Sequence, residues 1–261
     1  MVFRSGITKI EPNHIVSRGY RQEELIGNVP FPSVVFLLLR GRLPTPQEGR
    51  MMDAILTSSI DHGMTSPSAL AARVVASSTV PLPTAVAAGV LAIGDTHGGA
   101  IENAAKLFQE KVREMQDKGI NPDEMGRMIV ESARAEKKRI PGFGHRYHTE
   151  DPRTKRLYRL AEELGIAGPH IALAKGIEKA FADIGKKLPT NVDGAIAAII
   201  SDMGFDYRLG KAFFYLGRIA GLTAQVYEEI TREKPMRRFI TAEVEYDGPW
   251  ERDLKGEVDN G

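Results

Sequence analysis

The chain has 261 residues, 42% hydrophobic and 26% charged, which excludes disordered, collagen-like and mini-protein architectures and is enough for one large domain. Lys and Arg number 35 against 34 Asp and Glu, so no broad positive field is available for nucleic acid. Cysteine is absent, which removes disulfides, thiolate nucleophiles and cysteine metal ligands, and no apolar run is long enough for a bilayer span or a signal segment. These features predict a cytoplasmic protein with no nucleic-acid or membrane partner; a metal would have to use His or carboxylate ligands, and none is expected.

Alternation over residues 3–10 predicts a short strand. Helix signals then dominate residues 32–233. Thr45-Pro46, Ser66-Pro67, Asn121-Pro122 and Asp151-Pro152 each join a side-chain acceptor to a proline that has no N–H to satisfy, which predicts four helix starts. Glu48 and Glu124 stand at the three-residue spacing of a capping box. Ile101, Ala104, Ala105, Phe108 and Val112 follow the helical period between charged neighbours, as do Leu157, Leu160, Ala161 and Leu164. Residues 84–93 and 195–200 are apolar on every side, which predicts two helices buried all round at the centre of the core. A second short strand is expected over residues 239–246. The whole reads as an all-α chain with small terminal β elements: one domain over residues 1–250, with a mobile subregion near 100–165, and a polar tail over 251–261.

Four breaks between helices gather Gly, His, Asn and Asp: Asp61-His62-Gly63, Gly94-Asp95-Thr96-His97-Gly98-Gly99, Gly142-Phe143-Gly144-His145-Arg146 and Asn191-Val192-Asp193-Gly194. Taken singly, each is also what glycine-capped helix ends would give. Brought together, neutral imidazoles could donate to a carbonyl or enolate oxygen while a carboxylate exchanges a proton with the carbon beside a thioester. Arg153, Arg218, Arg232 and Lys234 could hold carboxylates. The run Lys137, Lys138, Arg139 reads equally as phosphate-binding or as a solvated face.

The order of these motifs, from Arg18-Gly19-Tyr20 through Leu37-Leu38-Leu39-Arg40-Gly41-Arg42-Leu43-Pro44 to Gly217-Arg218-Ile219-Ala220-Gly221, resembles the citrate synthase superfamily over about residues 15–235. Within it, the stretch from Ile93 through Gly98-Gly99-Ala100 to Phe108 and the Asn191-Val192-Asp193-Gly194 motif are most similar to the citryl-CoA lyase branch, including the lyase module of ATP-citrate lyases. The resemblance implies a shortened citrate synthase-like helical fold and cleavage of citryl-CoA to acetyl-CoA and oxaloacetate. It implies that His62 contacts the oxo-acid, His97 the thioester oxygen and His145 the hydroxyl that becomes the ketone, with Asp193 moving the proton at the acetyl carbon. Arg153 and Arg218 would bind carboxylates, with Arg232 and Lys234 at a third position where the family often has Arg before Pro. Arg139, Pro141, Gly142, Phe143 and Gly144 would receive CoA, so Gly142→Val is expected to weaken CoA binding. His148 and His170 are assigned to structure or surface. No permanent cofactor is implied; CoA belongs to the substrate, and the active sites would be shared in a homodimer. Citrate synthesis, citramalyl-CoA cleavage and a non-catalytic acyl-CoA-binding role stand as alternatives.

Overall fold

The computed structural model describes residues 2–144, 150–239 and 245–248. Its N-terminus is a three-stranded antiparallel sheet: β1 (Thr8–Glu11), β2 (His14–Ser17) and β3 (Tyr20–Arg21), in that order, with Lys9 opposite Val16 and Ile10 opposite Ile15. The strand expected over residues 3–10 therefore starts later and pairs with β2, which in turn pairs with β3. The first turn runs through Pro12 and Asn13, whose φ of +59° is a conformation asparagine tolerates. Most of the second expected strand, residues 240–244, lies outside the described residues.

The rest is helical: α1 (Gln22–Leu25), α2 (Phe31–Arg40), α3 (Pro46–Ser58), α4 (Pro67–Ala76), α5 (Leu82–Leu91), α6 (Ala100–Lys118), α7 (Pro122–Ala135), α8 (Pro152–Glu163), α9 (Pro169–Asp183), α10 (Val192–Asp202) and α11 (Gly210–Arg232). Three of the four expected starts carry their caps. Thr45 and Glu48 form a reciprocal box, Asn121 accepts from the Glu124 amide, and Asp151 accepts from the Arg153 amide. Ser66 does not cap α4; its hydroxyl donates to the Gly63 carbonyl instead. At α9, the Gly168 position has no side chain, and Asp202 at the far end of α10 accepts from the Gly168, His170 and Ile171 amides and bonds the His170 ring at 2.7 Å. His170 thus serves to fix α9 to α10.

Two clusters make the interior. The larger surrounds α10 with side chains of α2, α3, α6, α7, α8 and α9. The smaller joins Ala69, Ala72 and Ala76 of α4, Ala85 of α5, and Leu222 and Val226 of α11. α11 belongs to both, since Phe213 and Phe214 lie in the larger cluster. Burial of α10 is as expected, whereas α5 buries only Ala85 and Gly89. The expectation that α5 is buried all round is therefore corrected: its outer side faces solvent in the single chain.

Candidate functional site

Where the two clusters meet, a cavity of about 340 Å³ is lined by His62, His97, Gly144, Arg153, Asp193 and Arg218, with Ser66, Asn191 and Phe214 beside them. Five separate stretches of chain and α11 thus converge on one space. His145 lies outside the described residues, as does His148.

Arg218 sits on α11 between Phe214 of the larger cluster and Leu222 of the smaller one. It is buried, its guanidinium 4.5 Å from the Phe214 ring centroid, with Nε donating to the Ser59 carbonyl at 2.8 Å and Nη1 to Ser68 Oγ at 3.3 Å. A guanidinium has five N–H groups, so donors remain for a ligand carboxylate. Burial lowers its affinity for the proton, and the charges of Asp61 and Asp193 act the other way.

His97 is oriented by the start of α4. The Ser68 amide is one of the N–H groups left without an intrahelical acceptor at a helix start, and it donates to His97 Nε2 at 3.3 Å. A backbone N–H can only donate, so Nε2 is unprotonated and the ring proton resides on Nδ1. Ser68 Oγ, 2.8 Å from the same nitrogen, donates to it and in turn accepts from Arg218. This explains the unused Ser66 cap: the imidazole takes that place. Desolvation first, then the charges of Arg218 and His62, push the His97 pKa down to about 4, so the ring is neutral at physiological pH. Ser68 was not singled out in the sequence; its position one residue into a Ser-Pro helix start was the available signal.

Asp193 stands in the first turn of α10. Desolvation raises its pKa from 3.8 to about 6, opposed by Arg153 and Arg218 and reinforced by Asp151. The turn is fixed by Asn191, which sequence reasoning left out of the site. Its Oδ1 accepts from the Gly194 amide, its Nδ2 donates to the Gly144 carbonyl at 2.8 Å, and its backbone N–H donates to the Gly142 carbonyl at 2.9 Å. The Gly144 amide returns a bond to the Pro189 carbonyl at 2.8 Å. The 142–144 loop and the Asp193 helix are thereby stitched together.

That stitching alters two expectations about the loop. Gly142 has φ +85°, and a Cβ there would strike the Gly194 backbone, so Gly142→Val would displace the start of α10 and could not report on CoA alone. Among the described residues of this loop, Gly144 lines the cavity. Phe143 faces the interior, edge-on to Phe108 with centroids 6.3 Å apart and tilted against Phe181 at 5.9 Å. Pro141 is half-buried and Arg139 is exposed.

The arginines separate into two groups. Arg153 reaches the cavity wall while paired with Asp151 through Nε at 3.0 Å and Nη2 at 2.8 Å. Arg232 and Lys234 lie away from the cavity of their own chain, exposed at the end of α11 and just past it, with Arg232 3.3 Å from Glu228. Among the described residues no cluster of His and carboxylates is arranged to hold a metal ion, and no helix is long and apolar enough to cross a membrane.

Comparison with known proteins places this arrangement. The family described as citrate synthase, C-terminal domain, matches residues 44–239. The glyoxysomal citrate synthase of Cucurbita maxima is 33% identical over 224 residues, covering 82% of this chain and 41% of that relative. The chain spans about half the length of the curated citrate synthases it matches. The structure of citryl-CoA lyase from Hydrogenobacter thermophilus superposes with a TM-score of 0.90 at 47% identity, covering 99% of this chain and all of that one. The ATP citrate lyase of Methanosaeta concilii, in complex with (3S)-citryl-CoA, shares the fold at a TM-score of 0.79 and 22% identity, covering 99% of this chain and 43% of that one.

Proposed function

The chain belongs to the citrate synthase family, and from that premise we propose that it cleaves citryl-CoA to acetyl-CoA and oxaloacetate. The observation that carries the reading is the pairing, in one cavity, of a neutral His97 with its proton on Nδ1 and an Asp193 with its pKa raised to about 6. The full-length likeness to a citryl-CoA lyase supports the same direction.

In this mechanism the substrate hydroxyl loses its proton as the bond between the tertiary carbon and the thioester-side methylene breaks. The electron pair passes to the methylene carbon and is delocalised onto the thioester oxygen, where the His97 N–H stabilises it. Asp193, protonated, delivers its proton to that carbon and produces the methyl group of acetyl-CoA. His145 is the expected acceptor of the hydroxyl proton. His62 and Arg218 hold the oxo-acid half, Arg218 through a charge-assisted pair of N–H donors. Arg153 contributes positive charge beside Asp193 while engaged with Asp151. CoA lies along Gly144, and no other cofactor enters.

We also propose a homodimer. Its support is the outer side of α4, α5 and α11, where Val74 is 41%, Leu91 85%, Tyr227 61% and Ile230 46% exposed, more large apolar surface than an isolated chain usually presents. In such a dimer Arg232 and Lys234 would serve the neighbouring cavity.

The test of the activity is incubation of purified protein with citryl-CoA, with oxaloacetate followed by coupled reduction to malate. Equal amounts of oxaloacetate and acetyl-CoA are expected. Citrate with free CoA as the products, or no oxaloacetate from folded protein, would overturn the reading; a higher kcat/KM with citramalyl-CoA would transfer the activity to that thioester.

A further inference from the structure

His62 reaches the cavity from a turn without regular structure, and α11 is the surface on which that turn is laid. Gly217, Gly221, Gln225 and Glu229 recur every fourth residue and share one helix face. A Cβ at Gly217 would strike the Leu56 carbonyl oxygen and one at Gly221 the Ile60 carbonyl oxygen, so these glycines let the end of α3 and the following turn rest on the helix backbone. Arg218 adds its bond to the Ser59 carbonyl. One turn beyond the second glycine, Gln225 Nε2 donates to Asp61 Oδ2 at 3.2 Å, and the same oxygen accepts from the Gly63 amide at 3.0 Å. Asp61 Oδ1 is buried with no hydrogen-bond partner among the described residues, so the grip on this carboxylate comes through Oδ2.

The other end of Gln225 is equally constrained. Its Oε1 accepts from Arg73 Nη1 at 2.8 Å, and Arg73 Nε donates to Glu229 Oε2 at 2.7 Å. The Arg73 and Glu229 side chains are 5% and 1% exposed, and Arg237 closes on Glu229 with bonds of 2.8 and 2.6 Å. A guanidinium has no acceptor and a carboxylate no donor, so Gln225 can be accommodated in one amide orientation. It converts the fixed direction of a buried ion cluster into a fixed position for Asp61.

We propose that Gln225 is the positioning residue of the Asp61-His62-Gly63 turn, and that through His62 it sets the affinity for the oxo-acid half of the substrate. The second part rests on the reading of His62 given above. The position requires one donor and one acceptor at opposite ends of a side chain. A neutral imidazole meets that requirement; leucine meets neither half, and glutamate keeps the bond to Arg73 while facing Asp61 with a like charge.

The test compares Gln225→Leu, Gln225→Glu and Gln225→His with the wild-type protein. The first readout needs no substrate: the His62 ring carbon–proton NMR signal, assigned by its loss in His62→Gln. It should move or broaden in the Leu and Glu variants and return towards the wild-type position in the His variant, with the His170 signal unmoved in all three. The second readout is calorimetry, where the Leu variant should bind oxaloacetate about tenfold more weakly, as loss of a hydrogen bond to a charged group implies, with CoA affinity unchanged. An unmoved His62 signal in the Leu and Glu variants, or equal weakening of oxaloacetate and CoA, would overturn the proposal. If wild-type protein binds no oxaloacetate, the proposed substrate fails, while the His62 signal still decides whether Gln225 positions the turn.

Discussion

In α10 every residue from Gly194 to Ser201 is buried, whereas in α5 only Ala85 and Gly89 are, and Leu91 at its end is 85% exposed. Both helices are rich in alanine and branched aliphatics, and neither has a polar stripe wide enough to face water. α10 finds its neighbours within the chain, in α6, α8 and α9; α5 is covered on one side by α4 and α11. The difference teaches that an all-round apolar helix states a need for burial and leaves open which chain supplies it. The cavity lies between these two environments, taking Asp193 from α10, the His97 support from α4 and Arg218 from the helix that spans both clusters.

The same substitution in both helices should separate them most strongly. Ile196→Asp puts an unpaired carboxylate into the core and should cost about 4 kcal/mol or more, a large part of the stability of a typical domain. Leu91→Asp should leave the folded chain intact and shift the assembly to monomer. Thermal denaturation and light scattering after gel filtration read the two effects, and comparable loss of melting temperature in both variants would break the contrast.

At the seam between the clusters, Arg218→Lys removes the planar donor set stacked near Phe214. Oxaloacetate binding should weaken about thirtyfold, from the loss of a charge-assisted pair, with CoA affinity kept within about twofold. Calorimetry with each ligand checks this, and equal loss for both would reduce Arg218 to support of the fold.

The smallest effect is expected on the α4 side. Ser68→Ala keeps the backbone amide on His97 Nε2 and removes one of its two donors. The value of a single hydrogen bond corresponds to a decrease in kcat of about tenfold or less, with little change in KM. A changed KM at constant kcat would place His97 in binding and not in stabilisation of the enolate.

What was legible in the sequence follows the reach of each interaction. Caps at Thr45, Asn121 and Asp151 could be read because acceptor and amide lie within three residues. Asp202, which performs the same service for α9, stands 34 residues after Gly168 and has no local signature. The link from Ser68 to His97 spans 29 residues, and Gln225 reaches back to Asp61 over 164. Motif order pointed to His62, His97, Arg153, Asp193 and Arg218, which the fold does gather at one cavity. Residues that orient these groups were missed because their partners are fixed only once α4, α10 and α11 have packed.

The claim at the centre of this account is that Asp193 donates the proton that completes cleavage, and the pH dependence of kcat/KM for citryl-CoA tests it most directly. A general acid with a free-enzyme pKa of about 6 predicts a rate that falls as pH rises through 6, and Asp193→Asn should lower the rate by roughly a hundred- to ten-thousandfold and remove that limb. A raised carboxyl pKa also means that its contribution to stability is complete below 3.8 and lost as pH rises through 6, so the Asn variant should melt higher than wild type at pH 7.5. A variant that retains the wild-type rate and the same fall above pH 6 would contradict the assignment of the proton to Asp193.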